Sequence, residues 1–165
     1  IVNSFSKSLA LPGERIGYVA VNPQIRNADV LMDALIFCNR TLGFVNAPGL
    51  FQKVAADHLE DVAGLEAYRE RRDALYEILM DTGYECVLPK GAFYLFPRLD
   101  KSKFDFENAH DFAMKFLHEQ HVLVIPGDGF DWHEDLRFRI VMLPEPETLT
   151  KAMGDMAYFL KQHRV

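Results

Sequence analysis

A chain of 165 residues is about one domain's worth on the usual scale of roughly 100–200 residues, and 49% apolar residues is enough for a packed core. With 18 Lys and Arg against 24 Asp and Glu, the net charge of -6 offers no basic field for phosphate backbones or anionic lipid, which argues against a nucleic-acid partner. No run of about 18 apolar residues and no charged-then-apolar leader occurs, so the sequence predicts neither a membrane span nor a signal peptide, and a cytoplasmic protein is expected.

In chain order, Val2–Phe5 and Ile16–Val21 are short apolar runs bounded by Gly and Pro, which predicts two buried strands around a polar loop. Asn22-Pro23 ends the second. Residues 24–40 and 47–59 have helical spacing, with Pro48 close to the start of the second helix. A longer helix is expected over 64–82, where Leu65, Tyr68, Leu75, Ile78 and Leu79 keep a spacing of three to four and Gly83 suits a C-terminal cap. Short strands follow at 84–88, 92–97, 122–125 and 136–143, around a helix at 106–120 with Ala109, Phe112, Ala113, Phe116 and Leu117 on one face. The last helix, 147–163, carries Leu149, Ala152, Met153, Met156, Ala157 and Leu160 in one stripe. The pattern is α/β, a small sheet covered by helices.

The first two strands are expected to need a larger sheet to pair with, because a two-stranded ribbon is marginal by itself. Val19, Val21, Leu31, Leu35, Ile36, Phe37, Phe44 and Phe51 are further apolar side chains in this stretch that such a sheet or a partner would cover. The expected division is 1–60, a remnant of a larger domain, and 61–165, a complete small one.

The stretch SFSKSLALPGERIGY, residues 4–18, concentrates the chemistry. A lysine on a short polar loop is ordinarily a solvated charge, but here Ser4, Ser6 and Ser8 supply hydroxyl donors and Gly13 permits close backbone approach. Arg15 adds a permanent planar cation, so the loop can hold a phosphate ester. A neighbouring cation also favours the neutral amine of Lys7, the form that attacks an aldehyde to give a Schiff base. Ser4-x-x-Lys7 matches the S-x-x-K pattern of serine β-lactamases as well, but their S-D-N and K-T-G elements are missing from the sequence.

The pattern S-F-S-K-S-x-x-x-P-G-x-R-x-G-Y resembles the cofactor-lysine motif of the class I/II aminotransferases, fold-type I enzymes that use pyridoxal 5'-phosphate. The resemblance continues through GAFYLFP at 91–97, VIPGDGF at 124–130 and RFRIVMLPEPETL at 137–149. It implies the C-terminal part of the fold-type I fold, a small α/β sandwich domain with edge strands and helices of the large domain. By that resemblance Lys7 is the catalytic residue that bonds the cofactor, Ser4 and Arg15 hold its phosphate with Ser6 assisting, and Arg139 binds the substrate carboxylate. Arg40 is the match, at an offset of about one position before Asn46-Ala47-Pro48, for an arginine that the partner subunit of a homodimer contributes to dicarboxylate recognition.

In the family order the acid that pairs the pyridine nitrogen, the aromatic that stacks on the ring and a glycine-rich phosphate turn precede the lysine. The segment alone is therefore expected to be inactive, within a parent that moves an amino group between an amino acid, with alanine or aspartate expected, and a 2-oxo acid. A β-eliminating lyase and a cofactor-free packing module are the alternatives. Arg137 and Arg139 are two apart on a predicted strand and share a face opposite Phe138, Ile140 and Met142, so either can reach a cleft. Tyr68, Arg71 and Arg72 read as a solvated helix face, and Trp132 as a partial core plug or a pocket wall. Cys38 and Cys86 read as buried thiols, and the scattered histidines predict no metal site.

Overall fold

In the computed structural model, which describes residues 1–62 and 64–165, the chain begins with strand β1 (Val2–Ser4), paired antiparallel to β2 (Gly17–Val19) in the register Val2↔Val19, Asn3↔Tyr18, Ser4↔Gly17. Between them lies a single turn of helix, α1 (Phe5–Ser8). Then come α2 (Ala28–Thr41) and α3 (Gly49–Asp57), the latter starting immediately after Pro48. These elements belong to one compact unit, Ile1–Leu65, and Glu66–Val165 forms a second.

Unit one has a small core of Phe5, Ile16 and Ala55, with Leu9, Ala47 and Phe51 packed on it. Its strands are shorter than the sequence predicts and exposed rather than buried, because among the described residues they pair only with each other. The first helix begins at Ala28 instead of Gln24: the Asn22 side chain accepts from Gln24 N–H at 3.0 Å and its carbonyl from Ile25 N–H at 3.2 Å, which holds the chain in a turn. No residue of α2 is buried, and Phe37 and Phe44 are 69% and 74% exposed. Cys38 shares this exposure, correcting the expectation of a buried thiol.

Unit two is built on β6 (Leu136–Val141), whose alternation is the one the sequence predicts: Leu136, Phe138 and Ile140 are buried while Arg137, Arg139 and Val141 are half-buried on the other face. β3 (Tyr94–Leu95) and β4 (Arg98–Leu99) pair antiparallel with β6 in one continuous register, Tyr94↔Val141 to Leu99↔Leu136. They are separated at Phe96-Pro97, where proline has no N–H to donate. β5 (Ile125–Pro126) pairs with β6 at Arg139 and Phe138. The predicted strand at 84–88 reduces to one bridge, Glu85↔Arg98, because its neighbour β4 is two residues long and Pro97 stops the ladder.

Helices α4 (Leu65–Asp81), α5 (Ala109–Gln120) and α6 (Pro146–Gln162) supply the rest of the core. α5 starts three residues later than predicted because Asn108 caps it, its side-chain oxygen accepting from Asp111 N–H at 2.9 Å. Phe106 is thereby freed to stack on Phe159 with ring centres 5.5 Å apart. The α6 stripe buries Leu149, Met153, Met156 and Leu160 as expected, together with Phe159. Phe112, Phe116, Phe138 and Phe159 are fully buried, each worth about 1.5–3 kcal/mol of apolar transfer. Cys86 is half-buried, and burial raises its thiol above the ordinary range. Among the described residues no helix is long and apolar enough to cross a membrane.

Candidate active site

Two buried side chains suspend the lysine loop. Phe5 and Ile16 sit in the small core, and Phe5 N–H donates to Ile16 C=O at 3.1 Å, closing the loop at its neck. Ser4 ends β1 and Ser6 lies in α1 on either side of Phe5, while Arg15 precedes Ile16 and Gly17 opens β2. Ser4 caps α1: Ser6 N–H donates to Ser4 Oγ at 3.2 Å, and the Ser4 hydroxyl donates to Ser6 Oγ at 2.9 Å. The two hydroxyls are thus already gathered. Lys7 is exposed, two positions from the buried Phe5 on the same helical turn.

Arg15 has φ 51°, in the left-handed region that a side chain with Cβ enters at a cost of roughly 1–2 kcal/mol. Its guanidinium donates to Pro12 C=O at 2.8 Å, one of the five N–H donors it carries, and among the described residues it has no carboxylate partner. Non-glycine residues in this conformation cluster at ligand clamps. A Cβ at Gly13 would meet no described protein atom within 4 Å, so its expected role, approach of a ligand to the backbone, makes no demand on the protein packing. The tight place is Gly17, where a Cβ would lie 2.5 Å from Asn3 C=O. Gly17→Ala should force β1 and β2 apart, and hydrogen exchange of the Phe5 amide should speed up by on the order of tenfold, about one hydrogen bond's worth. Unchanged protection would show that the neck does not depend on this contact.

In unit two, β6 presents both arginines on one face, and the surroundings separate them. Arg137 Nε donates to Asp135 Oδ1 at 3.0 Å, and Trp132 Nε1 donates to the same oxygen at 2.8 Å. Asp135 also pairs with Arg98 at 3.0 Å, and Arg98 donates to Glu85 at 2.6 Å. Arg137 is therefore neutralised inside a network. Arg139, by contrast, has no ion pair among the described residues; its Nε is buried without a hydrogen-bond partner there, and its guanidinium lies 4.5 Å from the Tyr94 ring centre and 4.6 Å from that of Phe130. A cation so placed has its faces covered and its charge unspent, which suits it to a carboxylate.

Arg40 falls in the last turn of α2, exposed, and among the described residues it has no carboxylate partner. Trp132 lines a cleft of about 460 Å³ with Arg98, Asp100 and Asp135, on the side of the Arg137 network. Arg71 is drawn into structure rather than solvated: it donates to Leu143 C=O and to Glu145, both at 3.1 Å. Sequence reasoning missed Gly17, Asp135, Tyr94 and Phe130. The Asp-x-Arg spacing of 135–137 was a signal for the ion pair, whereas the approach of Tyr94 and Phe130 to one guanidinium required the strand register.

The family model for aminotransferase class I and II matches residues 1–155. The glutamate-pyruvate aminotransferase AlaA of Haemophilus influenzae is 29% identical over 99% of this chain and 42% of its own length. The aspartate aminotransferase of Bacillus subtilis is 29% identical over 99% of this chain and 41% of its own. Among solved structures, an amino transferase from Eubacterium rectale superposes with a TM-score of 0.80 at 36% identity, covering 98% of this chain and 39% of that one. The chain thus spans about two fifths of the length of the proteins it matches.

Proposed function

The chain belongs to the aminotransferase class I and II family, and from that premise we propose that its parent protein moves an amino group between a small amino acid and a 2-oxo acid, with pyridoxal 5'-phosphate held by Lys7, Ser4, Ser6 and Arg15. The observation that carries this reading is the lysine loop, which holds Lys7 together with two mutually hydrogen-bonded hydroxyls, Ser4 and Ser6, and an arginine in the left-handed conformation. That donor set fits the group. Hydroxyls and a guanidinium suit a phosphate monoester, and a lysine amine is the side chain that bonds an aldehyde.

When bound, the cofactor supplies an electron-withdrawing ring that stabilises negative charge at the substrate Cα. Ser4, Ser6 and Arg15 orient the phosphate. Lys7 anchors the cofactor, and its Nζ then takes up the proton that leaves Cα. Arg139 binds the substrate carboxylate through two parallel N–H donors, each charge-assisted bond contributing about 1.5–3 kcal/mol. The donors we propose are alanine or aspartate, with 2-oxoglutarate as acceptor; the relatives named for glutamate-pyruvate and aspartate transfer support that range. Arg40 is proposed to assist a second carboxylate.

The test is an assay of the full-length protein with pyridoxal phosphate and 2-oxoglutarate, alanine and aspartate being compared as donors. Glutamate should form from at least one of them, with kcat/KM above about 10⁴ M⁻¹s⁻¹ for the preferred donor. Elimination from a cystathionine-type thioether without amino transfer would overturn the reading.

A further inference from the structure

We infer that Tyr94 and Phe130 are positioning residues for Arg139: the two rings take the place of a protein carboxylate, fixing the guanidinium while leaving its charge for the carboxylate of the substrate. The inference rests on the reading of Arg139 given above and adds to it the device that holds the arginine.

An arginine on a half-buried strand face ordinarily acquires an acid, as Arg137 does with Asp135 one turn of the pleat away. Such a partner fixes the side chain but occupies the edge of the guanidinium that a bidentate ligand needs. Ring faces act differently. They attract the cation through the ring quadrupole and limit rotation of the planar group, yet they accept no conventional N–H bond along its edge. Arg139 lies over two rings at almost equal distance, 4.5 and 4.6 Å, and its Nε is buried with no acceptor among the described residues.

Both rings are themselves fixed. Tyr94 stands on β3, paired to Val141. Phe130 ends the 3-10 turn Gly127–Phe130 that follows β5, and Ile125 of β5 is registered directly against Arg139. The turn is pressed onto β6: a Cβ at Gly127 would lie 3.0 Å from Arg137 C=O, and Trp132 N–H donates to Gly127 C=O at 3.1 Å. Phe130 also meets Phe96 edge-on at 6.1 Å, and Phe96 meets Trp132 edge-on at 6.0 Å. So Phe130 is held although it is 45% exposed, and Arg139 beside it is half-buried rather than sealed from solvent.

The experiment uses the full-length protein with cofactor. Phe130→Leu and Tyr94→Leu keep apolar bulk but remove the ring face, and each should raise KM for the amino-acid donor by about tenfold with kcat held within about twofold. Binding of propionate, a carboxylate with no amino group, should weaken in parallel. Phe130→Tyr and Tyr94→Phe should return both constants to within about threefold of the parent protein. In the Arg139→Lys background Phe130→Leu should have little further effect, since the group it positions is gone. If the ring-removing variants leave KM and propionate binding unchanged while Arg139→Lys raises KM, the inference fails and the carboxylate role of Arg139 stands. If Arg139→Lys itself leaves KM unchanged, that role fails and the inference falls with it. A fall in kcat together with melting temperature, not restored by the aromatic replacements, would mark the rings as merely structural and also overturn the inference.

Discussion

Lys7→Ala in the full-length protein is expected to remove the yellow colour that cofactor attachment confers and to lower turnover by at least about three orders of magnitude. Two losses combine. The covalent anchor disappears, and so does the base that takes the Cα proton, a role worth on the order of 10²–10⁴ by itself. No second lysine occurs in residues 1–52, so the loop has no internal substitute. Absorption spectra and steady-state rates check it, and turnover close to that of the parent protein would refute the assignment. Folding should survive the change, because Lys7 is exposed whereas the loop is held by Phe5 and Ile16.

Arg139→Lys should raise the KM for the amino-acid donor by one to two orders of magnitude, or about 1.4–2.8 kcal/mol. The ammonium keeps the charge but loses the fork and the planar surface that lies on Tyr94 and Phe130. Arg137→Lys provides the contrast. Its guanidinium is already bonded to Asp135 and lies over Trp132, so the change should act mainly on stability, with KM within about threefold of the parent. Steady-state kinetics of the two variants side by side decide between them. A large KM effect for Arg137→Lys and none for Arg139→Lys would exchange their roles.

Helices and strands were legible wherever a local period governed them. The stripes of α5 and α6 and the alternation of β6 emerged as the spacing predicts, since one face of each meets a core large enough to enforce the period. The boundaries were less legible. Asn108 capped α5 three residues late, and the Asn22 turn delayed α2, because a side chain bonding to backbone competes with helix at its first turn. The strands of unit one and Cys38, expected to be buried, are exposed in this chain, because burial depends on what covers a segment, and apolar character records only what would favour being covered.

The lysine motif could be proposed from the sequence because its residues lie within one stretch of fifteen, and the structure shows two of its hydroxyls, Ser4 and Ser6, hydrogen-bonded to each other. Spacing also placed Arg137 and Arg139 on a common face. It did not distinguish them, and it could not, since their difference is made by groups from other segments: Asp135 and Trp132 around one, Tyr94 and Phe130 around the other. Likewise Gly17 is where the protein's own backbone needs room, because only strand pairing brings Asn3 C=O against it. The sequence by itself determined which chemical groups this protein carries and the faces on which they stand. The tertiary structure decided which arginine is neutralised and which keeps its charge, because electrostatic partnership is a matter of a few ångströms between residues that the chain order holds apart.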